Sequence, residues 1–322
     1  MNISDIFKIQ NEEGFNKVAI HTFKKQYHSV NVYKKYVDSR RVDLNKISHY
    51  KDIPFLPIEF FKNFSIKISE TKTQKTFLSS GTTNTLRSKH HVTDIKLYEK
   101  SFVNGFIRSY GSPEDWIILS ILPSYLEQGD SSLIYMVNHL MKMTKNKKSQ
   151  FIRNNIKDTF KNLKKEKVLL IGVSYALLDL AEKINIDLSK WTIMETGGMK
   201  GRRKEIIRSE LHSKLNSSFN TQQIHSEYGM TELLSQAYSK KNGVFSSPPW
   251  LKILIREVND PFNYIKNGKT GGLNIIDLAN QNSCSFIESK DLGRKINEIE
   301  FEISGRFDNS DIRGCNLMSI TN

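Results

Sequence analysis

The chain has 322 residues, 38% hydrophobic and 10% aromatic, enough for a large buried core in one main body at roughly 150 residues per domain. The 48 lysines and arginines against 34 acidic residues leave a net charge of +14. That balance favours anionic partners such as nucleotides, coenzyme A, acidic carrier proteins or nucleic acid, and equally suits a lysine-rich solvated surface. No run approaches the ~20 apolar residues that cross a bilayer. The start "MNISDIFKIQNEEG" lacks a signal peptide's basic and apolar regions, and Cys284 and Cys315 are too few for a disulfide framework. A cytoplasmic protein without a transmembrane segment is expected.

In chain order, "EEGFNKVAIHTFKKQYHSV" places Phe15, Val18, Ala19, Thr22, Phe23 and Tyr27 on one helical face. The prolines of "IPFLPIEFFK" then break the helix and predict a linker packed on the body. Strands and helices alternate from there. "DWIILSIL" reads as a buried strand, and "KVLLIGVS" as a strand entering the helix "YALLDLAEKI". "KWTIMETGG" is a strand before a helix with Ile207, Leu211 and Leu215 on one face. This pattern predicts a mostly parallel sheet with helices on its faces. The last third, with "WLKILIREV", "GGLNIIDLA" and "EIEFEISG", predicts a smaller antiparallel sheet or barrel, in which Ile299, Phe301 and Ile303 alternate with glutamates. No repeat or flexible linker marks a boundary.

Four stretches carry candidate chemistry. In "SSGTT", Ser79, Ser80, Thr82 and Thr83 surround Gly81, where backbone N–H groups can turn towards an anion; without a Gly-Lys-Ser/Thr ending this is not a Walker loop, and an ordinary polar turn reads the same way. "HSEYGMTELLSQ" holds an aromatic Tyr228, the Thr231 hydroxyl and the Glu232 carboxylate, which either serve a phosphate and its Mg²⁺ or cap a following helix. "FIESKDLG" puts Asp291 at a strand end, where a carboxylate can accept from two ribose hydroxyls. "ISGRFDNSDIRGCNLM" crowds Arg306, Asp308, Arg313 and Cys315 together. Cys284 reads as structural, and His90, His91 and His225 have no convincing metal-ligand spacing.

In this order the four stretches resemble the motif series of the adenylate-forming enzymes. With "IPFLPIEFFK", "LPSYLEQGDSSLIYM", "TGGMKG" and "GRFDNSDIRGCNLM", the resemblance narrows to the acyl-protein synthetase (LuxE) family, from about Tyr50 to Met318; the N-terminal helices add little to it. The implied fold is α/β: the large N-terminal domain of an adenylate-forming enzyme, with mixed, mostly parallel sheets, helices, a smaller antiparallel β region and the mobile C-terminal domain absent. The implied division is an N-terminal helical segment over 1–50, an adenylating body over 51–304 and a truncated hinge and tail over 305–322.

The resemblance also implies ATP and Mg²⁺ as cofactors and activation of a carboxylic acid, by expectation a fatty acid, to an acyl-adenylate that passes to a thiol. Ser79, Ser80, Gly81, Thr82 and Thr83 would cradle the phosphates, Tyr228 would face the adenine and Thr231 the α-phosphate. Glu232 would bind Mg²⁺, Asp291 the ribose, and Arg306 the ribose or phosphate. Cys315 matches the family's acylated cysteine, and Arg306 and Arg313 are placed in sequence to lower its pKa. An acyl reductase or acyl carrier protein would be the partner. The loop departs from the pattern at Asn84, and either Arg87 or Lys89 would be its basic residue. Two other readings stay open: a coenzyme A or carrier-protein ligase with Cys315 a bystander, and a basic nucleic-acid or scaffold module, against which the sequence offers no nucleic-acid motif.

Overall fold

The computed structural model describes residues 3–80, 86–122, 129–152, 156–161, 163, 166–184, 186–199, 202–258, 260 and 263–307. Helix α1 (Glu12–Ser29) begins where Asn11 accepts a hydrogen bond from the Gly14 amide, and it buries Phe15, Val18, Ala19, Thr22 and Phe23. Helix α2 (Asn31–Ser39) packs beside it. The proline stretch is more than a linker: β1 (Leu56–Pro57) lies parallel to the strand Phe286–Lys295 before the short α3 (Phe60–Asn63).

Next come the antiparallel hairpin of β2 (Lys75–Leu78) and β3 (Lys89–Val92), and helix α4 (Ile95–Tyr110), capped by Asp94 and ended by Gly111 at φ +82°. The alternating region follows as β4 (Ile117–Ile121), α5 (Ser132–Met143), β5 (Gln150–Phe151), α6 (Ile156–Lys161), β6 (Val168–Val173), α7 (Ser174–Lys183), β7 (Thr192–Thr196), α8 (Arg208–Phe219) and β8 (Ile224–Tyr228). The last strands are β9 (Ala237–Ser239), β10 (Val244–Ser246), β11 (Leu251–Arg256), β12 (Thr270–Asp277), β13 (Phe286–Lys295) and β14 (Glu300–Arg306).

Among the described residues, 12 strands form one sheet, ordered β11-β12-β13-β14-β10-β9-β8-β7-β6-β4-β5 with β1 beside β13. The stretch β5-β4-β6-β7-β8 is parallel, and every residue of β4 and β6 is buried, as strands covered by helices on both faces require. The antiparallel strands of the last third continue this same sheet beyond β8, so the small separate sheet is the β2–β3 hairpin alone. Two apolar positions differ from the expected pattern. Ile207 precedes α8 and is 70% exposed, while Leu211 and Leu215 are buried. In β14 Phe301 is buried and Ile299, just before the strand, is exposed.

One buried carboxylate ties the two kinds of strand together. Asp277, at the end of β12, accepts from the amides of Leu234 (2.7 Å), Ser235 (3.0 Å) and Ala279 (3.1 Å) and from the Ser235 hydroxyl (2.6 Å). Burial pushes its pKa up against the pull of these four bonds, which saturate its lone pairs. The segment between β8 and β9, with Thr231 and Glu232, is thereby fixed to β12. Asp277→Asn turns an NH₂ group towards backbone donors, and we expect it to lower unfolding free energy by roughly 2–4 kcal/mol in urea titrations; a loss within 0.5 kcal/mol, the range of ordinary surface substitutions, would show that the cage is dispensable.

Candidate active site

Strand β8 has a parallel neighbour, β7, on one side and an antiparallel one, β9, on the other. Open α/β sheets bind ligands beyond the C-terminal ends of their parallel strands, and β8 is the last parallel strand before the antiparallel run. Tyr228 closes β8, with its partly exposed ring edge-on to Phe245 and Phe301 at centroid distances of 5.9 and 5.8 Å. Its hydroxyl donates to Asp291 Oδ2 at 2.7 Å, and Arg306 Nε meets Asp291 Oδ1 at 3.0 Å. Burial, then the charge of Asp291, raises the Tyr228 pKa well above its ordinary value, so it remains a donor. With two of about four lone-pair sites used, the carboxylate can still accept two hydroxyls.

The expected strand end at Asp291 is a strand interior. Asp291 pairs with Arg306 across β13 and β14, and β13 runs on to Lys295 through a bulge after Leu292. Gly293, which resembles a turn signal, serves close strand approach: a Cβ there would lie 2.0 Å from the Glu302 carbonyl oxygen. The helix that Thr231 and Glu232 could have capped is absent as well; a turn leads directly to β9.

Glu232 is only 5% exposed. Burial pushes its carboxyl pKa up, opposed chiefly by a hydrogen bond with Ser88. Ser88 belongs to the base of the loop between β2 and β3: its amide donates to Ser79 Oγ (2.9 Å), the Ser79 amide donates to the Ser88 carbonyl (3.0 Å), and Arg87 Nε donates to the Ser79 carbonyl (2.5 Å). Arg87 therefore folds back on the loop, while Lys89 is exposed on β3. Gly81, Thr82, Thr83 and Cys315 lie outside the described residues.

His90, one strand position beyond Lys89, pins this hairpin to the Thr231 turn. Its Nδ1 lies 2.7 Å from the Thr231 carbonyl oxygen and its Nε2 lies 3.1 Å from Asn280 Oδ1. The Asn280 amide nitrogen donates to the carbonyls of Glu232 (2.8 Å) and Cys284 (2.9 Å), which fixes its orientation. The Thr231 carbonyl and the Asn280 amide oxygen are both acceptors, so both contacts favour the protonated ring. Desolvation outweighs both contacts and lowers the His90 pKa to about 4. The metal-ligand question asked of His90 missed this role; the alternation of β3, which turns His90 and Val92 inward, was the available signal.

Two other candidates stand apart. Cys284 is fully buried, its thiol pushed up to about 12 by desolvation and bonded to the Phe286 carbonyl, as suits a structural residue. His225 shares a hydrogen bond with the Tyr110 hydroxyl at 3.1 Å. Among the described residues no three His, Cys, Asp or Glu side chains gather to hold a metal. Glu232, a buried carboxylate governed by desolvation, fits the single protein ligand that Mg²⁺ takes when phosphate oxygens supply the rest.

The fold is that of the large domain of the adenylate-forming enzymes. A 2-hydroxyisobutyryl-CoA ligase in complex with 2-HIB-AMP superposes with a TM-score of 0.68 at 10% identity, over 92% of this chain and 68% of that one. ATP-bound MatB from Rhodopseudomonas palustris superposes with a TM-score of 0.54 at 14% identity, over 72% of this chain and 47% of that one. The chain thus spans about half the length of MatB. By sequence, the model of the family "Acyl-protein synthetase, LuxE" matches residues 5–115, about a third of the chain, so the resemblance to that family is borne out. The match begins in the N-terminal helices, which therefore carry more of the family's character than the motif reading gave them. No curated protein matches the chain by sequence. Among the described residues no helix is long and apolar enough to cross a membrane.

The His90 value of about 4 lies below the ~6.5 of an unfolded histidine, so between these pH values the unfolded chain binds more protons. The stability His90 contributes is complete above pH ~6.5 and is lost as pH falls towards 4. His90→Gln should flatten the fall of the thermal midpoint across that window; an unchanged slope relative to the parent would show that His90 is already protonated in the fold.

Proposed function

We propose that the protein activates a carboxylic acid with ATP, forming an acyl-adenylate and pyrophosphate, and transfers the acyl group to a protein thiol. The observation that supports this reading best is the hydrogen-bonded chain Tyr228–Asp291–Arg306 beside the buried carboxylate of Glu232. Asp291 would accept the ribose hydroxyls at its open lone pairs, with the partly exposed ring of Tyr228 towards the adenine. Arg306, whose side chain is 70% exposed, has room to leave the carboxylate for ribose or phosphate. Thr231 would meet the α-phosphate, and the loop from Ser79 to Thr83 the distal phosphates.

Glu232 would hold Mg²⁺, which when bound offsets charge on the departing pyrophosphate. The substrate carboxylate oxygen attacks the α-phosphorus as the bond to pyrophosphate breaks. In the second step the Cys315 thiolate attacks the acyl carbon and AMP leaves with the bonding electron pair. Phe307 is anchored by its amide bond to the Lys290 carbonyl (2.7 Å) and by the Arg256 guanidinium 5.6 Å from its ring. The eight residues from there to Cys315 reach at most about 26–29 Å, which brings the site within range. An acyl reductase or carrier protein would receive the group, and the division at residues 50 and 304 belongs to the same proposal. Direct acylation of coenzyme A is the second reading, favoured by the fold shared with a CoA ligase.

Glu232→Gln should lower acid-dependent ATP–pyrophosphate exchange by about 10²-fold or more. Cys315→Ser should keep that exchange and lose a hydroxylamine-labile acyl adduct seen by intact-mass spectrometry. Exchange without any adduct on the parent protein would move the acceptor to another molecule, and no exchange with any acid would refute the activation reading.

A further inference from the structure

The face of the β8–β9 hairpin beside Gly229 carries polar groups that the nucleotide reading leaves unused. Glu227 pairs with Tyr238 across the two strands, so both side chains point to one face, and Gln236 shares it next to Gly229. Gly229 allows the close packing there: a Cβ would lie 2.5 Å from Glu227 Oε1 and 3.3 Å from Gln236 Cγ. Helix α4 covers this face with Tyr110, whose ring stands edge-on to Tyr238 at 5.3 Å.

Two atoms of this face are buried with no hydrogen-bond partner among the described residues, Gln236 Oε1 and the Tyr238 hydroxyl. Both residues are 5% exposed. Their neighbours are engaged elsewhere: Glu227 Oε2 accepts from the Thr196 hydroxyl (2.5 Å), the Tyr110 hydroxyl bonds to His225 (3.1 Å), and the Tyr98 hydroxyl donates to the Ser132 carbonyl (3.0 Å). Buried polar atoms are almost always paired, so an orphan acceptor and an orphan hydroxyl two positions apart on one strand face need an explanation. They stand at the C-terminal end of β8, and Gly229 is two residues from Thr231. A carboxylate poised to attack a phosphorus held at Thr231 must lie within about 3–3.5 Å of it, at the same end of the hairpin as this face.

We propose that Gln236 and Tyr238 form the specificity site for the acid, and that the preferred acid carries a hydroxyl group a few bonds from its carboxylate rather than an unsubstituted alkyl chain. This rests on the acid-activation reading above. A substrate hydroxyl can donate to Gln236 Oε1 or accept from the Tyr238 hydroxyl, and so relieves an orphan atom of either kind. A saturated chain in the same place satisfies neither and desolvates both, which is the arrangement that sites built for a hydroxyl reject most strongly.

The test uses the full chain and matched acid pairs, octanoate with 3-hydroxyoctanoate and benzoate with 3-hydroxybenzoate, read by calorimetric binding and by ATP–pyrophosphate exchange. The hydroxylated member of at least one pair should bind on the order of tenfold more tightly or better. Tyr238→Phe and Gln236→Leu should each bring that ratio towards one. Because the readout is a ratio within one protein, partial unfolding of a variant does not imitate it. Equal binding within both pairs, or a ratio that both variants leave intact, would overturn the proposal and assign the two atoms to buried water. Binding with the expected ratio but no exchange would sink the activation reading while leaving this site standing.

Discussion

The carboxylate of Asp277 is the constraint on which the site depends. The short segment between β8 and β9 buries Leu233 and Leu234 in the core but has no helix or strand of its own to present Thr231, Glu232 and Gln236 in fixed directions. Two of its amides and one hydroxyl end on a single buried anion at the tip of β12, 42 residues away in sequence from Ser235. The Ser235 hydroxyl also receives the Trp250 indole N–H at 3.0 Å and meets Ser101 of α4 at 3.0 Å, so helix, loop and antiparallel strand share one polar knot. Isolated, such a group would be strongly disfavoured; fully partnered, it specifies one arrangement of three elements.

From that knot the rest of the site follows by short links. Asn280, three residues beyond Asp277, holds the Glu232 carbonyl and faces His90, and His90 holds the Thr231 carbonyl. The β2–β3 hairpin would otherwise be a two-stranded ribbon, which is marginal alone. Through His90 and Ser88 it is tied to Thr231 and Glu232. Preorganisation here is a chain of neutral and charge-assisted hydrogen bonds, made before any ligand arrives.

Much of this was legible in the sequence because periodicity is a local signal. The apolar runs of β4 and β6 and the face of α1 are visible to anyone counting, and the Tyr228–Glu232 motif stands where a strand ends. The parts that were not legible depend on partners far along the chain. Gly293 is a point of close strand contact with Glu302 and lets β13 run on past Asp291, a long-range fact with no local signal. His90 looks like half of a basic pair and is a buried pin. Asp277 closes an apolar strand and gives no local hint of the four donors waiting for it.

Strand β11 ends the sheet, and its Lys252 is buried beneath the N-terminal segment, paired with Glu12 and lying 5.0 and 5.1 Å from the rings of Phe15 and Tyr50. The first fifty residues therefore act as a seal on a terminal strand. A fragment beginning after them would not be a smaller version of the same fold. It would present an uncovered apolar ribbon whose Lys252 keeps only its longer contact with Glu298 (3.7 Å), the kind of edge along which separate chains join and precipitate.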